Sequence, residues 1–304
     1  MRLKVSIIQY APVYYDLQKS LRKLTELVAE AAEKKPKIIV LGETWLPGYP
    51  AWLDVCPDAA LWNHNPTKEV FAVLRENSLI VPSKETNLIG VLAKKYNVVI
   101  VIGVNERVEG KAGNGTLFNS LLTFNSNGKL INHHRKLVPT YTERMIWGQG
   151  NARGLKTIDS SAGRIGGLIC WEHWMPLSRQ KLHNDGEQIH VAVWPSVKEM
   201  HQIASRHYAF EGRCFVLASG LIMKREDMPK EFQYKGKEKL LINGGSCIIA
   251  PDGSFITEPL FDKEAIISAE LDLRMIDKEM MTMDTTGHYS RSDIFNFSLK
   301  ENTQ

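Results

Sequence analysis

Arg164-Ile165-Gly166-Gly167-Leu168-Ile169-Cys170, running on into Trp171-Glu172-His173-Trp174-Met175-Pro176, is the stretch that sets the fold class. The apolar run is short, ends in a polar turn, and is followed by a proline suited to open a helix. A strand that feeds into a helix in this way is the building unit of an α/β protein. The carboxyl ends of such strands are where α/β active sites collect. Cys170 stands at this elbow, where exposed backbone N–H groups can help to stabilise a thiolate. A free cysteine is more often a buried structural residue, so position alone leaves both readings of Cys170 open.

The same rhythm extends to both ends. Towards the C-terminus, Pro176 to His183 reads as a helix and Ile189 to Val193 as a strand. Ser196-Val197-Lys198-Glu199 has the form of a capping box opening a helix to about Arg213. Cys214 to Gly220, Leu241 to Ala250 and Ala265 to Leu271 read as strands, with a turn at Pro251-Asp252-Gly253. Towards the N-terminus, Lys4 to Gln9, Lys37 to Leu41 and Val98 to Val104 are strands. Asp16 caps a helix whose Leu17, Leu21, Leu24, Val28 and Ala31 share one face. Leu88 to Tyr96 is a short helix. Leu117 to Phe124 and Lys129 to Asn132 form a hairpin around Asn125-Ser126-Asn127-Gly128. Pro57 to Ser83 and Lys224 to Lys239 break the rhythm and read as insertions. The expectation is one α/β domain over residues 1–304, with a mixed sheet system and a short tail from about 292.

Composition narrows the function. The chain has 304 residues, 43% hydrophobic and 24% charged, with a formal net charge of only +4. Its basic stretches, such as Lys34-Lys35-Pro36-Lys37, fall at helix ends and loops rather than on a nucleic-acid-binding module. No nucleic-acid partner is expected. The longest apolar runs are far too short to span a bilayer, and the N-terminus lacks a signal-peptide core, so no membrane is expected. The four cysteines, Cys56, Cys170, Cys214 and Cys247, form no CxxC pair, which argues against a zinc site, and so few in a chain this long point to a reducing, cytoplasmic setting.

Two more residues carry possible chemistry. Glu43 follows a strand of fully buried composition, where desolvation would raise its pKa towards that of a useful base. Lys136 lies in the basic run His133-His134-Arg135-Lys136, which by itself reads as a solvated face. His133 and His134 would point apart on an extended chain, so a shared metal site is not expected.

Gly42-Glu43 with the following Pro47-Gly48-Tyr49-Pro50, the run His134 to Thr140, and Gly167-Leu168-Ile169-Cys170-Trp171-Glu172 together resemble, in order, the three catalytic motifs of the nitrilase superfamily. The likeness is closest to the true nitrilase branch. It is carried further by Thr142 to Gly148, by His173, by Gln188 to Ser196 and by Thr286 to Arg291. The chain departs from that branch at Asn151-Ala152-Arg153 and at Ser292.

The resemblance implies a four-layer αββα sandwich and a hydrolase of carbon–nitrogen bonds. It implies a nitrilase that forms a cysteine thioimidate and thioester, with an amidase or N-carbamoyl hydrolase as the alternative. Cys170 would be the nucleophile, Glu43 the base, Lys136 the charge stabiliser and Glu143 the second glutamate. Tyr49, Trp171, Glu172, His173 and Trp194 would contact substrate. A small nitrile is the expected partner, no metal or organic cofactor is required, and a homodimer or higher homo-oligomer is expected.

Overall fold

Alternation along the first strands explains the layering. In a computed structural model, which describes residues 2–110, 112–232 and 234–300, Val5, Ile7, Ile38, Val40, Val99 and Val101 belong to one buried cluster. Ile8, Ile39, Leu41, Ile100 and Ile102 belong to another. Side chains two apart on a strand share a face, so this sheet is apolar on both sides and needs cover on both.

The strands are β1 (Arg2–Gln9), β2 (Ile38–Leu46), β3 (Val99–Arg107), β4 (Leu117–Phe124), β5 (Leu130–Arg135), β6 (Ile158–Ser160) and β7 (Gly163–Ile169). Then come β8 (Ile189–Val193), β9 (Phe215–Ser219), β10 (Ile222–Lys224), β11 (Leu240–Ile249), β12 (Phe255–Phe261) and β13 (Ala265–Asp272). The helices are α1 (Leu17–Ala32), α2 (Trp52–Val55), α3 (Asn65–Glu76), α4 (Lys84–Tyr96), α5 (Pro176–Asn184), α6 (Glu199–Gly212) and α7 (Arg274–Met280).

The first sheet runs β13-β1-β2-β3-β4-β5 and the second β10-β11-β9-β8-β7-β6, with β12 paired to β11. In each, the middle strands are parallel: β1, β2 and β3 in one, β7, β8 and β9 in the other. Helices α1 and α4 cover the outer face of the first sheet, sharing its cluster of Leu24, Val28, Ile89 and Leu92. Helix α6 covers the second with Ala204, Tyr208 and Ala209. The two sheets pack face to face through the shared cluster of Val5, Val40 and Val101 with Leu168, Val191 and Leu217. The architecture is the αββα sandwich.

Three readings of the sequence are corrected. The strand expected to stop at Leu41 continues to Leu46. The Pro57–Ser83 insertion holds helix α3, started by Pro66 in its first turn. The capping box at Ser196 does not form: Lys198 is the N-cap of α6, without a side-chain bond, and Ser196 Oγ instead accepts the Asn243 N–H at 3.0 Å. The Asp16 cap forms as expected, its carboxylate accepting the Lys19 N–H at 2.9 Å. Of the expected C-terminal tail, residues 292–300 carry no helix or strand, and 301–304 lie outside the described residues.

Candidate active site

Glu43 reaches the site on a bulge. Strand β2 pairs with β3 from Ile38 to Leu41 and rejoins it only at Leu46, opposite Val104. The intervening residues leave the ladder, with Thr44 at φ +48°. Gly103 permits this, because a Cβ there would lie 2.3 Å from the Gly42 carbonyl oxygen and 2.4 Å from the Thr44 nitrogen. Lys136 follows β5, its N–H donating to the Asn119 carbonyl of β4 at 2.8 Å. Glu143 sits in a short 3₁₀ turn, Tyr141–Met145, where its Oε2 accepts the Thr140 N–H at 2.7 Å.

Cys170 opens another 3₁₀ turn, Cys170–Trp174, directly after β7, and holds φ at +52°. A left-handed conformation is costly for a residue with a Cβ and has to be enforced by its surroundings. Glu172 supplies part of that force. Its Oε2 accepts the Ile169 N–H and its Oε1 the Leu137 N–H, both at 2.8 Å, and His134 Nε2 lies 2.9 Å from Oε2. One carboxylate thus ties the cysteine turn to the lysine segment. Burial alone would raise the Glu172 carboxyl, but His134 and these two N–H groups hold it below the usual range.

The four side chains meet. Lys136 Nζ donates to Glu143 Oε2 at 2.6 Å and to Glu43 Oε1 at 3.1 Å. Asn119 Nδ2 donates to Glu43 Oε1 at 2.7 Å, and the Tyr49 hydroxyl to Glu143 Oε1 at 3.1 Å. A carboxylate oxygen of each glutamate and the Cys170 sulfur lie within 4.8 Å of one another. Glu43 Oε2 is buried without a hydrogen-bond partner. Three such donor atoms could surround a cation, but the Lys136 ammonium already bridges the two carboxylates and supplies the positive charge there.

Electrostatics follow from this packing. Burial pushes the Glu43 carboxyl up, Lys136 pulls it back and Glu143 pushes again, leaving it at about 7. Burial would strip the Lys136 proton, but Cys170, Glu43 and Glu143 outweigh that and raise its pKa. The Cys170 thiol is pushed well up by burial and by Glu43, against Lys136 and the Trp171 N–H. A protonated thiol beside a carboxylate poised near neutrality is an arrangement for proton transfer from sulfur to carboxylate.

A cavity of about 410 Å³ opens onto this cluster, with Tyr49, Asp54, Glu143, Cys170, Trp171 and Lys198 in its wall. Of the residues expected to contact substrate, Tyr49 and Trp171 are in that wall. Glu172, His173 and Trp194 are not: all three are buried behind the cysteine turn, where they bond or stack with other protein groups. Sequence reasoning missed Asn119, whose signal was a polar residue in the apolar strand Leu117 to Phe124. It also missed Asp54, Lys198 and His201, which come from helix α2 and the start of α6.

A carbon–nitrogen hydrolase family profile matches residues 4–278. The chain belongs to the carbon–nitrogen hydrolase family. This hydrolase of carbon–nitrogen bonds is 34% identical over 308 residues to a bifunctional nitrilase/nitrile hydratase of Lupinus angustifolius, covering 98% of this chain and 86% of the relative. It is 35% identical over 297 residues to a nitrilase from an unknown prokaryotic organism, covering 97% and 91%. In fold, the hydrolase is similar to a carbon–nitrogen hydrolase of Helicobacter pylori G27, with TM-score 0.74, 21% identity and 97% of each chain covered. It is likewise similar to Saccharomyces cerevisiae Nit3, a member of branch 10 of the nitrilase superfamily, with TM-score 0.73, 20% identity and 95% and 96% covered. Among the described residues, no helix is long and apolar enough to cross a membrane.

Proposed function

We propose that this hydrolase is a nitrilase that converts an organic nitrile to the carboxylic acid and ammonia, with Glu43, Lys136, Cys170 and Glu143 as its working residues. The observation that carries the reading is a Glu43 carboxylate oxygen within 4.8 Å of the Cys170 sulfur, with Glu43 Oε2 unpartnered and Lys136 fixed between two carboxylates. The naming of its relatives as nitrilases supports the substrate class.

Glu43 takes the thiol proton as sulfur attacks the nitrile carbon, and returns it to nitrogen, giving a neutral thioimidate. It next takes a proton from water, which adds to the thioimidate carbon. Lys136 and the Trp171 N–H stabilise the negative charge that develops. With the nitrogen protonated, ammonia leaves and a thioester remains. A second water, activated by Glu43, releases the acid and restores the thiol. Loss of the sulfur instead of ammonia from the first tetrahedral species would release an amide. The double name of the lupin relative favours keeping that outcome in view. Glu143 holds Lys136 in register throughout.

An amidase or N-carbamoyl hydrolase could use the same residues. The deciding test is the product balance from aliphatic, aryl and arylacetonitriles, counting acid, amide and ammonia, with Cys170→Ala as control. Acid with equimolar ammonia is expected. Hydrolysis of the matching amides without turnover of any nitrile would sink the nitrilase reading.

We read residues 1–304 as one domain, since the two sheets share a core cluster. A cytoplasmic setting suits four free, buried cysteines. Self-association suits the exposed apolar side chains of Leu177, Met200, Ile203 and Phe210 on α5 and α6.

A further inference from the structure

Behind the Cys170 turn lies a second buried polar cluster that the mechanism above does not use. His173 Nδ1 is 2.6 Å from the Cys170 carbonyl oxygen, and His173 Nε2 is 2.9 Å from His190 Nε2 on β8. His190 Nδ1 is 2.8 Å from Glu187 Oε1, and Glu187 Oε2 accepts the Tyr208 hydroxyl of α6 at 2.5 Å. All four side chains belong to residues no more than 2% exposed. The backbone makes room for the carboxyl group: a Cβ on Gly166 of β7 would lie 2.0 Å from Glu187 Oε1.

With both rings neutral, the distances set where the protons sit. A carbonyl oxygen only accepts, so His173 Nδ1 carries a proton. A neutral His173 then has a bare Nε2, and His190 Nε2 must donate to it. A neutral His190 has a bare Nδ1, and Glu187 Oε1 must donate to that in turn. Charging any ring would place an imidazolium and a carboxylate in a fully buried site, which is costly. Burial pushes Glu187 up to about 8, and it pushes both His173 and His190 well below the ordinary histidine value, which agrees with the neutral chain.

The last acceptor, the Cys170 carbonyl, belongs to the same peptide group as the Trp171 N–H, and that N–H favours the thiolate form of Cys170. A hydrogen bond accepted at one end of a peptide group strengthens the donor at the other. We propose that Glu187 is a neutral carboxylic acid heading a one-way donor chain, Glu187 to His190 to His173, that positions and polarises the Cys170–Trp171 peptide group. The three are positioning residues for the nucleophile, and the proposal rests on the reading of Cys170 as nucleophile.

Other charged groups face the chain. Arg179 donates to the His173 carbonyl at 3.0 Å, Glu172 shares its turn, and His183, Asp185, Glu211 and Cys214 surround Glu187 and Tyr208. Glu43, Lys136 and Glu143 face the sulfur itself.

The first test needs no substitution. Nitrogen-15 NMR of histidine-labelled wild-type protein at pH 7 should find protons on His173 Nδ1 and His190 Nε2 and bare nitrogens at the other two positions. A doubly protonated ring on either residue would overturn the neutral chain. The second test compares Glu187→Gln, whose amide can still donate to His190 and accept from Tyr208, with Glu187→Leu, which cannot. The readouts are kcat, KM and the pH profile of Cys170 alkylation by iodoacetamide, located by peptide mapping. Glu187→Gln should keep the wild-type profile. Glu187→Leu should move it to higher pH by about one unit, a roughly tenfold loss of alkylation rate at neutral pH, and lower kcat with little change in KM. Equal impairment of both variants, or an unmoved profile in a folded Glu187→Leu protein, refutes the chain. Alkylation requires no nitrile, so a protein that hydrolyses none would refute only the function proposed above.

Discussion

Two buried polar clusters lie on either side of the Cys170 turn, and they are built on opposite rules. In the front cluster, two carboxylates share one ammonium, and Glu43 Oε2 and Asn119 Oδ1 are left without partners. In the rear cluster, every side-chain nitrogen and oxygen of His173, His190, Glu187 and Tyr208 is bonded. Unmade hydrogen bonds in a buried site cost free energy, about 1–3 kcal/mol each. They survive where a substrate or water can supply the missing partner, and the cavity lined by Glu143 and Cys170 opens on the front side. Under the proposed function, the contrast separates groups placed to react from groups placed to hold.

The largest effect that would test this division is at sulfur. Cys170→Ala should lower ammonia release from nitrile by about 10⁴-fold or more. Cys214→Ala, equally buried but facing neither glutamate nor lysine of the front cluster, should leave the rate within about threefold. If Cys214→Ala were as damaging, burial and not the front cluster would mark the reactive thiol.

Lys136→Met comes next. It removes the ammonium that bridges Glu43 and Glu143, so two buried carboxylates face each other uncompensated. Urea unfolding at pH 8 should show a loss of about 3–5 kcal/mol, the usual result of removing one partner of a buried pair. The loss should shrink at pH 5, where the Glu43 carboxyl can protonate instead. A pH-independent loss would mean that packing of the lysine stem, not its charge, is what the cluster needs.

Glu43 gives the pH limb. Its carboxyl is raised to about 7, and only its ionised form can take the thiol proton. Activity should therefore fall as pH drops through about 7, approaching tenfold per unit below it. The sign for stability is opposite. Between the ordinary carboxyl value and 7 the folded state binds more protons than the unfolded one, so this group's contribution weakens as pH rises through that window. Glu43→Gln should lose about 10²-fold or more in rate and abolish the acidic limb, while unfolding at a higher urea concentration than wild type at pH 8. A limb that persisted in Glu43→Gln would move the titration to another group.

A mixed sheet system covered by helices was legible from the strands, because runs such as Val98 to Val104 are apolar on both faces and fit a covered sheet; the four-layer sandwich itself came from the family likeness. Local chemistry misled where tertiary contacts override it. The polar pair Gly42-Glu43 looks like the end of a strand, yet β2 resumes after a bulge that depends on Gly103, far along the chain. Ser196 has the spacing of a cap but is taken by Asn243 of β11. Spacing could not join Glu43, Lys136 and Cys170, which different strands carry to one place; the family likeness joined them. The same likeness drew Glu172 and His173 towards the substrate, because residues next to a nucleophile in sequence look like residues next to it in space. On a tight 3₁₀ turn they are not. Their side chains point back into the sandwich, and the rear cluster had no sequence signal because Glu187 stands in a loop ahead of β8.

The smallest effect tests the boundary between the two kinds of group. Tyr49 lies in the cavity wall and donates to Glu143 Oε1, while its ring packs against Trp147 at 5.9 Å between centroids. Tyr49→Phe keeps the ring and removes the donor. Glu143 Oε2 retains Thr140 and Lys136, so the carboxylate should stay in place. The expected cost is about 1 kcal/mol in urea unfolding and a loss of a few-fold in kcat, with KM little changed. That result would assign the hydroxyl to holding Glu143. A loss of about 10²-fold in kcat without loss of stability would instead place the hydroxyl on the reacting atoms, as expected of a lost transition-state donor. The front cluster would then include a fifth working group, reached through the cavity rather than through the ion pairs.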